Sequence, residues 1–190
     1  QKKNQIKKII YISSLDVELD NTEYAYSKKQ AEQLIIDSNL AYVIIRPAVI
    51  FGKADTKNFG ILNKLIVRFP LVILPNKGSF LWQPVHVDDC VNLMISSLST
   101  TNFDQQIITI VGPEKISFER IVKQLIKATG KSKKIIKIPN WVSYLVLLFG
   151  RLCFQKNKVR SLLASFQTKL PSSDTQVIKG KKSLQDEFCS

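Results

Sequence analysis

Ile9-Ile10-Tyr11-Ile12-Ser13-Ser14, then Tyr24-Ala25-Tyr26-Ser27-Lys28-Lys29-Gln30-Ala31-Glu32, then Tyr42-Val43-Ile44-Ile45-Arg46-Pro47 follow one another early in this 190-residue chain. The first block is a β-branched apolar run that stops at two small hydroxyl residues. It predicts a buried strand with Ser13 and Ser14 at its carboxyl end. An acidic polar loop over 16–23 separates it from the second block. From Tyr24 to Ser38, Ala25, Ala31, Leu34 and Ile35 recur on one side among Lys, Gln and Glu, which predicts a helix with that apolar face inward. The third block is a second buried strand, stopped by Arg46-Pro47. Strand, helix and strand make a βαβ unit, so the fold is α/β with a parallel sheet covered on both faces.

Working outward, the character changes after Gly52. A helix is predicted over 58–69, with Ile61, Leu62, Leu65 and Ile66 on one side. Pro70 and Pro75 bracket the apolar strip 71–74, and 80–87 reads as extended. Asp88 or Asp89 is expected to cap a helix running to about Leu98. A strand follows over 107–111, closed by Gly112-Pro113. Ser117 opens a helix over 117–129 with Glu119 in its first turn, and Gly130 stops it. A short strand over 135–138 precedes Trp141–Phe154, a strongly apolar helix, and another short helix over 160–166. Residues 171–190 read as a loose polar tail. Upstream, 1–8 is polar and basic.

Composition narrows the chemistry. Apolar residues make up 45% and charged residues 23%, as in a globular protein. Three dispersed cysteines and a single histidine, His86, exclude a zinc site and a disulfide scaffold, and a reducing, cytoplasmic setting fits best. The formal net charge is +13. The lysines are dispersed, without aromatic residues interleaved on one face, so nucleic acid is not the expected partner; an anionic small molecule explains part of the excess. The seven glycines lie too far apart to build a GxGxxG or Walker phosphate loop within these residues. Trp141–Phe154, with Gly150 and Arg151 inside it, is too short to span a bilayer. Its basic flanks (Lys137, Lys156, Lys158, Arg160) leave surface insertion open. A helix packed in the core or at a subunit interface is favoured.

Ser14, Tyr24 and Lys28 carry the candidate chemistry. Tyr24 and Lys28 are one helical turn apart and project from the same face. An ammonium beside a phenol favours the tyrosinate. A phenol of pKa about 10 has to fall by roughly three units, about 4 kcal/mol, to act as a base near neutrality. Ser14, at the carboxyl end of the adjacent strand, reaches the crevice where open α/β sheets bind ligands.

The ordered string of strand and Ser13-Ser14, Tyr24 to Glu32, Arg46-Pro47-Ala48-Val49-Ile50-Phe51-Gly52 and Pro84-Val85-His86-Val87-Asp88-Asp89 resembles the extended short-chain dehydrogenase/reductase superfamily, in its NAD-dependent epimerase/dehydratase branch. The resemblance runs from Ile9 to about Leu170. It implies the carboxyl-terminal part of a Rossmann-like parallel sheet with a smaller mixed α/β substrate-binding portion. Residues 1–52 would be the partial NAD(P)-binding portion. Residues 53–170 would form the substrate portion with interleaved Rossmann elements, and 171–190 the polar tail. By the same resemblance, Tyr24 is the general acid/base and hydride moves to or from nicotinamide. Lys28 assists Tyr24 and bonds the nicotinamide ribose. Ser14 holds the substrate hydroxyl, with Ser13 the lesser candidate. The backbone of Pro47, Ala48 and Val49 contacts the nicotinamide and substrate. Trp82 and His86 would border the substrate, His86 as a structural residue or pocket wall, and Asp88 and Asp89 would be helix-starting acids.

The sequence departs from that family in three places. The opening strand, Gly-rich turn and helix are missing, so the chain is expected to begin within a longer enzyme. The loop between Ser14 and Tyr24 is shorter than in many sugar-nucleotide epimerases. Trp82 occupies the position where many such members carry a diphosphate-gripping arginine; Arg68, Lys64 or Lys77 would have to compensate. The stretches 69–80, 138–139 and 163–166 resemble epimerases of surface-polysaccharide synthesis. The leading expectation is therefore an NAD- or NADP-dependent epimerase or dehydratase acting on a small molecule such as a nucleotide sugar. A homodimer and a peripheral membrane contact stay open. The alternatives are a reductase of a non-sugar carbonyl and an inert scaffold of the same fold, membrane-associated through Trp141–Phe154.

Overall fold

The computed structural model describes residues 6–18, 22–139, 142 and 175–188. The βαβ unit forms as the pattern predicts: β1 (Lys8–Ile12), α1 (Glu23–Ile36) and β2 (Ala41–Pro47), with β1 and β2 parallel and Ile10 opposite Val43. A short 3-10 turn, Leu15–Glu18, occupies part of the expected loop. Then come β3 (Ile50–Phe51), α2 (Asn58–Arg68), β4 (Leu71–Leu74), β5 (Leu81–Trp82) and β6 (Val85–His86). After these follow α3 (Val87–Ser99), β7 (Gln106–Val111), β8 (Ile116–Ser117), α4 (Phe118–Ala128), β9 (Lys134–Lys137), β10 (Gln176–Lys179) and α5 (Leu184–Phe188). The predicted helices at 141–154 and 160–166 lie outside the described residues.

The main sheet has the order β1-β2-β7-β10, all parallel. Its strands present alternate residues to two faces. Ile10, Ile12, Val43, Ile45, Ile108 and Ile110 face α3, which contributes Cys90, Leu93 and Met94 to that core. α1 covers the other face, where Lys28 lies over Tyr11 and Glu32 bonds Arg46. A second core lies outside this sheet. α2, α4 and the parallel pair β4–β9 enclose Phe51, Phe59, Ile66, Leu74, Trp82, Phe118 and Leu125. The fold is thus a Rossmann-like sheet with a smaller α/β portion attached.

The buried faces of two helices differ from the pattern. In α1, Ala25 and Glu32 are buried whereas Leu34 is exposed; in α2, Phe59 and Ile66 are buried whereas Ile61 and Leu65 are exposed. The cap of α3 also differs. His86, not Asp88 or Asp89, is its N-cap, and its Nδ1 accepts the Asp88 N–H at 3.1 Å. Ser117 caps α4 as expected, its hydroxyl accepting the Arg120 N–H.

The largest correction concerns the expected loose polar tail at 171–190. Within it, β10 pairs with β7 in the main sheet, and Leu184 is buried in the second core. The Gly180 N–H donates to the Val111 carbonyl at 2.7 Å, and a Cβ on Gly180 would stand 2.6 Å from Asp89 Oδ2. That oxygen accepts the N–H groups of Lys181 and Lys182 at 3.0 and 3.1 Å. Asp88 pairs with the Lys182 ammonium, and Glu187 accepts from His86. The acids at the start of α3 therefore clasp this segment.

The clasp responds to acid with a definite sign. The hydrogen bond from Lys182 holds the Asp88 carboxyl below its ordinary value of 3.8, and the backbone N–H of Ser183 does the same for Asp186. A carboxylate whose folded pKa is depressed contributes stability above its unfolded value and loses it as pH falls through the folded one. Amide-exchange protection of Val177, Ile178 and Lys179, corrected for intrinsic rates, is expected to hold at neutral pH and to fall below about pH 4. Unchanged protection through acid pH would show that the two carboxylates do not hold the segment.

Candidate active site

β1 ends at Ile12, but the Ser13 N–H still donates to Ile45 O at 2.8 Å, so the strand end stays tied to β2. The chain then turns. Ser14 Oγ accepts the Asp16 N–H at 3.2 Å and the Ser14 carbonyl accepts the Val17 N–H. With its oxygen so engaged, the Ser14 hydroxyl keeps its hydrogen to donate to a ligand oxygen. Ser13 is buried, and its hydroxyl has no hydrogen-bond partner among the described residues.

Thr22 starts α1 by accepting the Ala25 N–H on its hydroxyl at 3.0 Å, which sets Tyr24 in the first turn with 53% of its surface exposed. One turn later, the Lys28 ammonium donates to the Ile12 carbonyl at 2.9 Å. It lies 4.9 Å from the centre of the Tyr11 ring and 5.9 Å from that of Tyr24. A single ammonium thus joins the Tyr24 side of the helix to the strand end that leads into Ser14.

Helix and strand are held in that relation by an ion pair that pattern reading did not single out. Arg46, near the end of β2, forks onto Glu32: Nε to Oε1 at 2.9 Å and Nη2 to Oε2 at 2.6 Å. Glu18 stands 3.5 Å from Nη1. Glu32 is buried, and its hydrogen bonding raises the Arg46 pKa above its already high ordinary value. The geometry is bidentate, the strong form of this contact.

The remaining predicted residues sit elsewhere. Pro47 ends β2, the Ala48 N–H donates to Ile110 O, and the Val49 carbonyl accepts from the Val85 N–H, so this stretch is wedged between β7 and β6. Trp82 is buried in the second core, 5.4 Å from the Phe118 ring and 5.9 Å from that of Phe59. His86 is buried edge-on to Phe51. Because Nδ1 accepts from Asp88, the hydrogen-bond network assigns the ring proton to Nε2, which donates to Glu187 at 3.2 Å. Both His86 ring nitrogens are thus occupied, by Asp88 and Glu187. Cys90 is buried beside Asp89, and burial pushes its thiol up to about 12, which removes it as a nucleophile.

The model of the NAD dependent epimerase/dehydratase family matches residues 3–112, a span that includes β1, Ser14, Tyr24, Lys28 and β7. The chain belongs to that family. A UDP-glucose 4-epimerase of Vibrio cholerae is 26% identical over 208 residues, covering 96% of this chain and 61% of that protein. A ceramide reductase of Caulobacter vibrioides is 24% identical over 134 residues, covering 70% of this chain and 42% of that protein. Among solved structures, UDP-glucuronic acid 4-epimerase from Bacillus cereus, in complex with UDP-glucuronic acid and NAD, superposes with a TM-score of 0.62 at 22% identity, over 72% of this chain and 50% of that one. That likeness establishes the shared fold. This family member spans about half to three-fifths of the length of those two epimerases.

Proposed function

We propose that this chain carries the catalytic hydroxyl–ammonium pair and the substrate side of an NAD-dependent nucleotide-sugar epimerase. The observation that supports this reading most is Lys28, which ties the α1 turn bearing Tyr24 to the carbonyl of Ile12 at the strand end before Ser14. Residues 1–52, with the interleaved α3 and β7, would contribute to the cofactor side and the rest of 53–170 to the substrate side.

The residue types suit the nicotinamide end of a dinucleotide: a phenol and an ammonium one turn apart on α1, and a hydroxyl just past the carboxyl end of the parallel strand that Lys28 touches. When bound, NAD supplies a reversible hydride acceptor. Tyr24 takes the proton of the sugar hydroxyl being oxidised and later returns it. Lys28 places a positive charge beside that phenol and offers hydrogens to a ribose hydroxyl. Ser14 donates its remaining hydrogen to the oxygen at the reacting carbon. The sequence holds no Gly-rich phosphate turn, so its residues are assigned to the nicotinamide and substrate ends alone.

A second reading has its own support. The position where a diphosphate-gripping arginine is expected is the core residue Trp82, and the ceramide reductase of Caulobacter vibrioides is among the relatives. On that reading the enzyme reduces a non-sugar carbonyl. Cofactor stoichiometry separates the two. An epimerase is expected to convert many equivalents of a UDP-sugar to its epimer with no net loss of NAD. Turnover that consumes one reduced cofactor per product would sink the epimerase reading and favour the reductase.

A further inference from the structure

We propose that the outer face of the β4–β9 pair, with the lysines around it, docks on an anionic phospholipid surface. The proposal is independent of the reaction assigned above. In β4, Val72 and Leu74 point into the second core, so Leu71 and Ile73 point out, 37% and 51% exposed. β9 runs parallel, with Lys134 opposite Leu71 and Ile136 opposite Ile73, and Ile136 is 39% exposed. Residues opposite one another in a sheet share a face. Three branched aliphatic side chains and one lysine therefore stand together on an exposed surface of the described residues.

The surroundings are cationic. Lys131, Lys133, Lys134 and Lys137 lie in β9 or on its approach; Lys133 Nζ donates to the Val67 and Phe69 carbonyls beside β4, and Lys137 pairs with Glu119. Exposed Lys77 donates its N–H to Ile138 O just past the end of β9, and Lys131 is exposed on the approach to the strand. A nucleic acid duplex would use the cations alone, whereas this face also exposes Leu71, Ile73 and Ile136. Aliphatic side chains ringed by lysines match the boundary between acyl chains and acidic headgroups. No helix among the described residues is long and apolar enough to cross a membrane, so the contact is peripheral.

Vesicle flotation of the full chain tests this. The protein is expected to float with phosphatidylcholine vesicles containing phosphatidylserine, to stay behind with pure phosphatidylcholine, and to be released by salt. Lys131→Ala and Lys134→Ala should each lower the partition coefficient about five-fold, the worth of about 1 kcal/mol per lysine at such a surface. Ile73→Ser and Ile136→Ser alter exposed side chains; they should weaken flotation while leaving the unfolding midpoint in place. Equal flotation with both kinds of vesicle, or with neither, overturns the proposal. So does tighter binding to duplex DNA that Ile73→Ser leaves unchanged.

Discussion

Tyr24→Phe in the complete enzyme is expected to lower turnover by about 10²- to 10⁴-fold, the range that a positioned proton-transfer group supplies. The change removes one oxygen. It leaves the ring, the α1 backbone and the Lys28–Ile12 bond in place. Because Tyr24 is half exposed, its stability cost should stay within about 0.5 kcal/mol. Cofactor affinity should change little, since Lys28 retains its ammonium. Steady-state kinetics with the UDP-sugar, beside a cofactor titration, would check both halves. A Tyr24→Phe enzyme that turns over at the parental rate would remove Tyr24 from the reaction. Loss of cofactor binding along with turnover would move Tyr24 from proton transfer to cofactor attachment.

Glu32→Met is expected to be the most damaging substitution outside the chemistry. It leaves the Arg46 guanidinium largely buried, with Glu18 at 3.5 Å as its remaining partner. Removing one member of a buried pair costs about 3–5 kcal/mol, because the other charge is left uncompensated. That is a large part of the roughly 5–15 kcal/mol by which a domain is stable. The double change Glu32→Met with Arg46→Met takes out both charges and should recover most of the loss. Urea unfolding of the two single variants and the double variant, at constant slope, gives the coupling. Additive losses would mean that the pair is not a unit. In the complete enzyme the same variant should also reduce turnover at temperatures where it remains folded, because the pair sets how α1 lies against β2.

The βαβ core was legible because its strands are unbroken β-branched runs and its helix is bounded by polar loops. The candidate site could be proposed for a related reason. A Tyr and a Lys one turn apart, after a strand ending in two serines, is a local pattern. What pattern reading missed depends on distant partners. Glu32 reads as solvent-facing and Leu34 as core, yet a carboxylate fourteen positions from its arginine becomes the buried group and the leucine stays outside. His86 lost the cap of α3 to the neighbouring aspartates on propensity alone. It holds that cap because its ring is fixed between Phe51 and Glu187. Gln176–Lys179 has two apolar residues between a glutamine and a lysine, and too little hydrophobicity to declare a strand; β7 makes it one.

That last strand also bears on how the protein is made. β10 joins β7 in register, Gln176 against Ile108, so the ribosome adds more than sixty residues between the two partners. Closing so long a loop is slow compared with local helix formation. During that interval the nascent sheet has β7 as an open border, with its ladder groups unpaired and able to recruit a strand from another nascent chain. Translation speed and chaperone capture between residues 112 and 175 should therefore govern yield more than the stability of the finished molecule does.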